Sequence, residues 1–276
     1  MKLRISIILL IRKMDLVIGI HCNYGSKLKT ETGGLYYFLK SLRNVNNTCN
    51  VIILCRNVDM VPVLVQFCKE MNAQLVPSIP DSVNDVCGIQ RVRYLQIYEL
   101  LSKDTAEIYN KILMSDLADV IFQEDPFQFE IDGVYPAAEQ NILSDSTNTS
   151  SRLNMHWIND FSFLGLDYSR FINKPVICCG TILGTHKNIM DYLQFYYKIN
   201  QDLRNDQAVM NIYTHHYIKV DVKPYESSKI LTLDKVDFNS LIKNEKGQIM
   251  NENNELYAII HQINRCNMPY MLSLVE

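Results

Sequence analysis

The stretch KILMSDLADVIFQEDPF, residues 111–127, joins a buried-strand pattern to a turn and places two carboxylates between them. The apolar residues 112–114 predict a β-strand, and the Asp-Pro pair that follows is typical of a turn. Asp116 and Asp119 lie at the junction. Carboxylates there suit a hard divalent cation, which prefers oxygen ligands, or the capping of backbone N–H groups in a turn. The spacing alone leaves both interpretations open.

The chain before this stretch alternates strand patterns with helical patterns. Three more apolar runs predict strands, at residues 16–20, 51–55 and 75–76. Three segments between the strands each carry a stripe of apolar residues at helical spacing. The stripes are Leu35, Phe38, Leu39 and Leu42; Leu64, Phe67, Cys68 and Met71; and Tyr94, Ile97, Tyr98 and Leu101. Such alternation implies a mostly parallel sheet with helices on both faces, which binds ligands at the carboxyl edge of its strands.

The pattern becomes mixed in the second half of the chain. Two helices are predicted there, with the apolar stripes Ile189, Tyr192, Leu193 and Tyr196, and Val209, Ile212, Tyr213 and His216. Strands are predicted at residues 134–138, 176–183, 218–222, 230–233 and 257–260, and a mobile loop at residues 144–151. No linker divides the chain. We therefore expect one α/β domain over residues 1–276, with a Rossmann-like half at 14–127 and a mixed half at 128–276.

Composition limits the classes of partner. The chain has 276 residues, of which 47% are hydrophobic, and a formal net charge of -3 at pH 7. Its basic residues are scattered, which argues against nucleic acid as a partner. The apolar run at residues 5–11 is too short to cross a bilayer, which requires about 20 residues. We expect no transmembrane segment.

The cysteines indicate a reducing compartment. None of the eight forms a Cys-x-x-Cys pair, and most lie in apolar runs, where a free thiol packs as a small hydrophobe. We therefore expect free thiols and a cytoplasmic location. Two Asn-x-Ser/Thr sequons, at Asn46 and Asn148, are short enough to arise by chance.

Two more groups of residues are candidates for binding a ligand at the same edge. Arg91 and Arg93 lie in the first turns of a predicted crossover helix, which begins at the carboxyl edge and could bring them to an anion. Solvated surface arginines are the alternative. Gly180 and Thr181 begin the run Gly-Thr-Ile-Leu-Gly, whose glycines permit close approach of a ligand or of another backbone.

The last two candidates follow further along the chain. Asp206 begins a predicted helix, where it could cap the helix or bind the hydroxyl groups of a sugar. His261 ends an apolar strand and is either a structural residue or a third metal ligand beside Asp116.

In this order, the motifs resemble those of metal-dependent, nucleotide-sugar glycosyltransferases of the GT-A type. The run from Asp116 to Phe127 is similar to the signature D-x-x-D-V-x-F-Q-x-x-P-F of such enzymes. The run that begins at Gly180, then Asp206-Gln207, then His261-Gln262 with Arg265, follow in the order found in that family. The resemblance implies transfer of a sugar from a nucleotide diphosphate, UDP- or GDP-linked, to a hydroxyl group of a glycan, protein or small molecule.

The same resemblance implies a role for each candidate residue. Asp116, Asp119 and His261 would hold Mn²⁺ or Mg²⁺, and Asp206 would act in catalysis. The more common motif of the fold is Asp-x-Asp, whereas this chain has Ala118 in place of the second acid, so Asp119 could instead orient the ligands. The nucleotide sugar would be bound by His21, Cys22, Asn23, Arg91, Arg93, Ser115, Gly180, Thr181 and Gln207.

Three alternatives to a transferase follow from the same residues. A sugar nucleotidyltransferase shares the sheet and the metal, but it carries a Gly-rich basic loop after the first strand, of which residues 25–29 are a weak match. A binding module without turnover would keep the donor site. A structural α/β protein would use its acids only as caps.

Overall fold

The computed structural model describes residues 14–21, 33–83, 86–103, 109–131, 133–218 and 222–276, and its centre is a six-stranded sheet. The strand order is β3-β2-β1-β4-β7-β6, with β3, β2, β1 and β4 mutually parallel and β7 antiparallel to both of its neighbours. The strands are β1 (Met14–Ile20), β2 (Asn50–Arg56), β3 (Gln74–Ile79), β4 (Tyr109–Asp116), β6 (Val134–Ile142) and β7 (Pro175–Thr185). The predicted α/β class with a mostly parallel sheet is confirmed.

Helices cover both faces of this sheet because its central strands are apolar on both sides. In β1, Leu16 and Ile18 face one core and Val17 faces the other, as the two-residue period of a strand requires. The helices are α1 (Gly33–Val45), α2 (Pro62–Glu70), α3 (Val86–Lys103), α4 (Thr149–Asn159), α5 (His186–Ile199), α6 (Asp206–Ile212) and α7 (Met268–Ser273). Buried residues of α1 and α2 pack in the core with Val17, and those of α3 to α6 pack in the core with Leu16.

A smaller sheet joins the mixed half to the end of β4. It contains β5 (Val120–Phe122), β8 (Ile230–Thr232) and β11 (Ile259–His261), in the order β5-β11-β8. A two-stranded pair, β9 (Ile242–Lys243) and β10 (Ile249–Met250), completes the strands of the described part of the chain. The sheet positions β11 antiparallel to β5 and parallel to β8.

Two local predictions were wrong. The polar run at residues 144–151 is not a loop throughout, because α4 begins within it. Asn148 caps that helix, since its side chain accepts hydrogen bonds from the backbone N–H groups of Ser150 and Ser151. A strand was predicted at residues 218–222. Its first residue, Ile218, lies instead in a π-helical turn, Tyr213–Ile218, that continues α6. Residues 219–221 lie outside the described part, as do residues 1–13.

The described helices and thiols agree with two further expectations. No helix in the described ranges combines the length and the apolar character needed to span a bilayer. Cys49, Cys55, Cys68, Cys178, Cys179 and Cys266 are all free thiols, and all but Cys266 are buried.

Candidate functional site

The end of β4 brings both predicted carboxylates to the carboxyl edge of the sheet. Leu117 is buried, so the turn after Asp116 is anchored in the core and Asp119 follows on the cleft side. Ala118 is exposed, and its backbone lies against Gly34 at the start of α1. A Cβ on Gly34 would lie 1.9 Å from the carbonyl oxygen of Ala118, so only glycine permits this contact.

The smaller sheet brings His261 to the same place. Because β11 is antiparallel to β5, its last residue, His261, pairs with the first residue of β5, Val120. The imidazole therefore lies beside Asp119, which directly precedes β5. The backbone N–H of Ile263 donates to the carbonyl of Asp119 at 3.1 Å and fixes this junction. The Nδ1 atom of His261 lies 3.5 Å from the Sγ atom of Cys178.

Asp116, Asp119 and His261 form a cluster that could hold a metal ion. One ligand atom from each lies within 4.8 Å of the other two. His261 Nε2 is 3.4 Å from Asp116 Oδ2 and 3.8 Å from Asp119 Oδ1. Two carboxylates and an imidazole suit Mn²⁺, and the carboxylates also suit Mg²⁺. The residues present therefore fit the predicted metal, with Asp119 close enough to be a direct ligand despite its spacing.

Gly180 permits this cluster to form. The antiparallel pairing of β4 and β7 joins Ser115 to Thr181, so the next pair along would be Asp116 and Gly180. A Cβ on Gly180 would lie 2.3 Å from Cε1 of His261 and 2.6 Å from Oδ2 of Asp116. Any larger residue would displace both predicted ligands.

Arg93 connects the cluster to α6. Its guanidinium pairs with the carboxylate of Asp116 and, through Nε at 2.8 Å and Nη2 at 2.7 Å, with Oδ2 of Asp206. Nη2 also lies 3.0 Å from Sγ of Cys179, and the group stacks on the ring of Tyr94 at 4.7 Å. Burial alone would lower the pKa of Arg93, but Asp206 and Asp116 outweigh it and raise that pKa well above its usual range. Arg93 is therefore a permanent buried cation.

The electrostatic environment makes the two acids of the cluster unequal. Burial alone would raise the pKa of Asp116, but Arg93 and His261 outweigh it and hold that pKa at about 2. Burial raises the pKa of Asp119, and His261 only partly offsets it. Burial alone would lower the pKa of His261, but Cys178 and the two carboxylates raise it well above its usual value. A cation that bound here would replace the imidazole proton, because a histidine ligand must be neutral.

Asp206 and Gln207 open α6 at the inner side of the cleft. The N-cap of α6 is Asn205, which accepts a hydrogen bond from the backbone N–H of Ala208 at 3.1 Å, so Asp206 does not cap this helix, which was one of the two roles considered for it. Asp206 is instead buried against Arg93. Gln207 lines the cleft beside it and donates from Nε2 to Asn154 Oδ1 at 2.9 Å.

These residues line a cleft of about 650 Å³, large enough for a small organic ligand. One of its walls is built by β6 and β7, which pair with each other beyond the point where β4 ends. Glu139 lies in this extended part of β6 and is only 5% exposed. It was not among the site residues predicted from the sequence. The one available signal was a carboxylate directly after the apolar residues predicted as a strand at 134–138.

The other predicted site residues are divided between the cleft and its surroundings. His21 lines the cleft, and its Nε2 atom is buried without a hydrogen-bond partner in the described part of the chain. Ser115 and Thr181 are buried behind the lining residues, with the Ser115 hydroxyl donating to the carbonyl of Asp116 at 2.8 Å. Arg91 is exposed on α3 and does not line the cleft, so only Arg93 of the pair reaches it. Cys22 and Asn23 lie outside the described residues.

Neither a known family model nor a curated protein sequence matches this chain. The interpretation of the cleft therefore rests on its own geometry and chemistry.

The first prediction concerns the buried cation. Arg93→Ala leaves the carboxylates of Asp116 and Asp206 without their partner, and we expect it to lower the free energy of unfolding by about 3 to 5 kcal/mol. Arg91→Ala removes the same side chain from an exposed position of the same helix and should change stability by no more than about 0.5 kcal/mol. Urea denaturation of both variants measures the difference. Equal effects would contradict the central role of Arg93.

The second prediction concerns Gly180. We expect Gly180→Ala to weaken Mn²⁺ binding by about 10- to 100-fold, because the added methyl group displaces Asp116 and His261. Titration of free Mn²⁺ by electron paramagnetic resonance measures this affinity. Thr181→Ala alters the next residue of β7, which is buried and does not line the cleft, and should leave the affinity unchanged. Unaltered binding by Gly180→Ala would exclude these residues as the metal centre.

The third prediction concerns the ionisation of Glu139. Burial and the nearby Asp234 raise its pKa to about 7 from an ordinary 4.5, while Arg265, His261 and Gln207 act in the opposite direction. A raised carboxyl pKa contributes stability below 4.5 that is lost as the pH rises through 7. Glu139→Gln removes this dependence on pH. The free energy of unfolding of the variant, relative to that of the native chain, should therefore increase by up to about 3 kcal/mol between pH 4.5 and pH 7. Urea denaturation at several pH values tests this, and parallel pH profiles would contradict it.

Proposed function

We propose that this protein is a glycosyltransferase that uses a nucleotide-diphosphate sugar and a divalent metal, with a fold of the GT-A type. The observation that supports this most is the meeting of Asp116, Asp119 and His261 within 4.8 Å at the carboxyl edge of the sheet. Asp116 and Asp119 come from one motif of the sequence and His261 from another, and Gly180 and Asp206, from two more motifs, lie around them. A set of acids used only as caps would not require this convergence.

Each residue of the cluster would have a distinct role. Asp116, held ionised and in place by Arg93, would be the principal ligand of Mn²⁺ or Mg²⁺, and Asp119 and His261 would complete the protein's share of the coordination. The bound metal supplies positive charge that stabilises the leaving nucleoside diphosphate. His261 would enter this role as the neutral imidazole and release its proton on metal binding.

The donor would lie along the cleft from the first half of the chain toward the second. His21 and the N-terminus of α1 line its end at β1, where backbone N–H groups favour an anionic phosphate. Gly180 lines the cleft against the metal cluster and Gln207 lines it beside Asp206, and the sugar would lie on this side. Asp206 would act mainly by positioning Arg93, because its Oδ2 atom accepts both contacts from that guanidinium.

The fourth prediction tests the donor site and the metal together. With Mn²⁺ and a panel of UDP- and GDP-sugars, we expect at least one donor to raise the melting temperature of the native chain, because a ligand that binds only the folded state stabilises it. Asp116→Asn should abolish this rise, because it removes the principal carboxylate ligand. Asp202→Asn alters an exposed aspartate that does not line the cleft, and this variant should retain the rise in melting temperature.

Two results of this experiment would contradict the proposal. The first is a melting temperature that no donor raises. The second is a rise in melting temperature that is equal for the native chain and for Asp116→Asn. If a donor binds, slow release of the sugar in water distinguishes an active transferase from a binding module without turnover. Formation of a nucleotide sugar from a nucleoside triphosphate and a sugar 1-phosphate, with release of pyrophosphate, would instead indicate a nucleotidyltransferase.

A further inference from the structure

Glu139 forms a polar subsite in the wall of the cleft that neither the metal cluster nor Arg93 uses. Its Oε1 atom accepts a hydrogen bond from Nε2 of Gln207 at 3.2 Å, and the same Nε2 donates to Oδ1 of Asn154 at 2.9 Å. Its Oε2 atom is buried and has no hydrogen-bond partner among the residues that the structure describes. Three elements, β6, α6 and α4, thus contribute one polar side chain each to a single wall.

This arrangement is not what folding alone would favour. Transfer of a carboxyl group from water to a buried position is unfavourable unless hydrogen bonds compensate it, and nearly all buried polar atoms in proteins have a partner. Gln207 satisfies only one oxygen of Glu139. Glu139 lines the cleft, so a donor group on a ligand bound there would complete the set.

The chemistry of the wall indicates which donor group this is. Asp234 and Arg265 also line the cleft and form a salt bridge at 2.8 Å, so this pair adds little net charge beside Glu139. Asn154 and Gln207 are neutral amides, and the apolar side chains of Leu153 and Trp157 lie nearby in the lining. Carboxyl and amide groups beside apolar surface suit an uncharged ligand that carries hydroxyl groups on a carbon ring.

The position relative to the metal cluster agrees with this chemistry. A row of side chains runs from Glu139 through Gln207, Cys179 and Arg93 to Asp116. The Sγ atom of Cys179 lies 3.9 Å from Oε1 of Gln207 and 3.0 Å from Nη2 of Arg93. The carboxyl group of Glu139 is therefore separated from the cluster by several side chains, on the side of the cleft where the proposed reaction places sugar rather than diphosphate.

We propose that Glu139, oriented by Gln207, determines which sugar this protein accepts by taking a hydrogen bond from one of its hydroxyl groups. This inference rests on the proposed function for the presence of a sugar, and the hydroxyl group could belong to the donor or to the acceptor. Recognition of a hydroxyl by a buried carboxyl group is strongly selective, because a sugar without that hydroxyl leaves the buried group unpaired.

The experiment compares Glu139→Gln with Glu130→Gln, the same substitution at an exposed position outside the cleft. Calorimetric titrations of the full chain with Mn²⁺ measure the affinity for UDP, for GDP and for the sugar nucleotide that binds the native chain best. We expect Glu139→Gln to weaken the affinity for the sugar nucleotide by about 10- to 100-fold, which corresponds to the loss of a hydrogen bond to a charged group. The affinity for UDP or GDP without a sugar should not change. Glu130→Gln should change neither.

The source of the hydroxyl is found by two further measurements. Deoxy analogues of the donor sugar should bind the native chain more weakly than the complete donor does. The analogue that lacks the contacted hydroxyl should bind Glu139→Gln as tightly as the complete donor binds this variant. If the donor is unaffected, binding of the acceptor sugar is measured in the same way, and a loss confined to Glu139→Gln assigns the subsite to the acceptor.

Other outcomes would overturn the inference. Equal weakening of nucleotide and sugar nucleotide would make Glu139 a structural residue, and unchanged affinity for both donor and acceptor sugars would exclude the subsite. If the native chain binds no nucleotide, the proposed function fails by itself. A panel of free mono- and oligosaccharides then tests Glu139 independently, and no binding, or equal binding by both variants, would reject it.

Discussion

The contact of Arg93 with two carboxylates is the interaction on which the rest of the site depends. Asp116 ends the fourth strand of the sheet, Asp206 begins α6, and 113 residues separate Arg93 from Asp206. Without the guanidinium, the two acids would repel each other in a region of low dielectric, where charges interact strongly. One cation thus joins three elements and keeps one predicted metal ligand ionised.

The direction of β7 determines where the cleft lies. Because β7 is antiparallel to β4, it continues past the carboxyl end of β4 and carries β6 with it. This extension forms a wall on which Gly180 faces the cluster and Glu139 lies further out. An α/β sheet made only of parallel strands would have loops at this edge. Here, a regular part of the sheet places the residues of the wall, and a rigid element positions side chains more accurately than a loop.

Much of this architecture could be predicted from the sequence because strands buried on both faces are continuous apolar runs, and amphipathic helices have apolar stripes. The order of the motifs also predicted that Asp116, Asp119 and His261 would meet. The predictions did not distinguish Arg93, which reaches the cleft, from Arg91, which does not, although the spacing of apolar residues indicated the difference. Arg93 lies four residues after Ile89 and four before Ile97, both buried, so it shares their face of the helix.

Other features depended on contacts between distant segments, which no local pattern contains. Glu139 was missed because one carboxylate at the end of a short apolar run does not reveal what pairs beside it. Capping of α6 was one of two roles considered for Asp206, because Asn205 and Asp206 are both good caps. In the structure Asn205 caps the helix and Asp206 pairs with the buried Arg93. The start of α4 was read as a loop because Ser, Thr and Asn favour loops and helix caps alike.

The cap of α4 has a consequence for covalent modification. Asn148 belongs to the sequon Asn148-Thr149-Ser150, yet its side chain is fully engaged. Oδ1 accepts from the first turn of α4 and from Lys235, and Nδ2 donates to Asn141 at 2.6 Å. An N-linked glycan would replace one of the two hydrogens on that Nδ2, so the bond to Asn141 would depend on the other hydrogen. A glycan at Asn148 would therefore lie at the N-terminus of α4, the helix that holds Asn154 against Gln207.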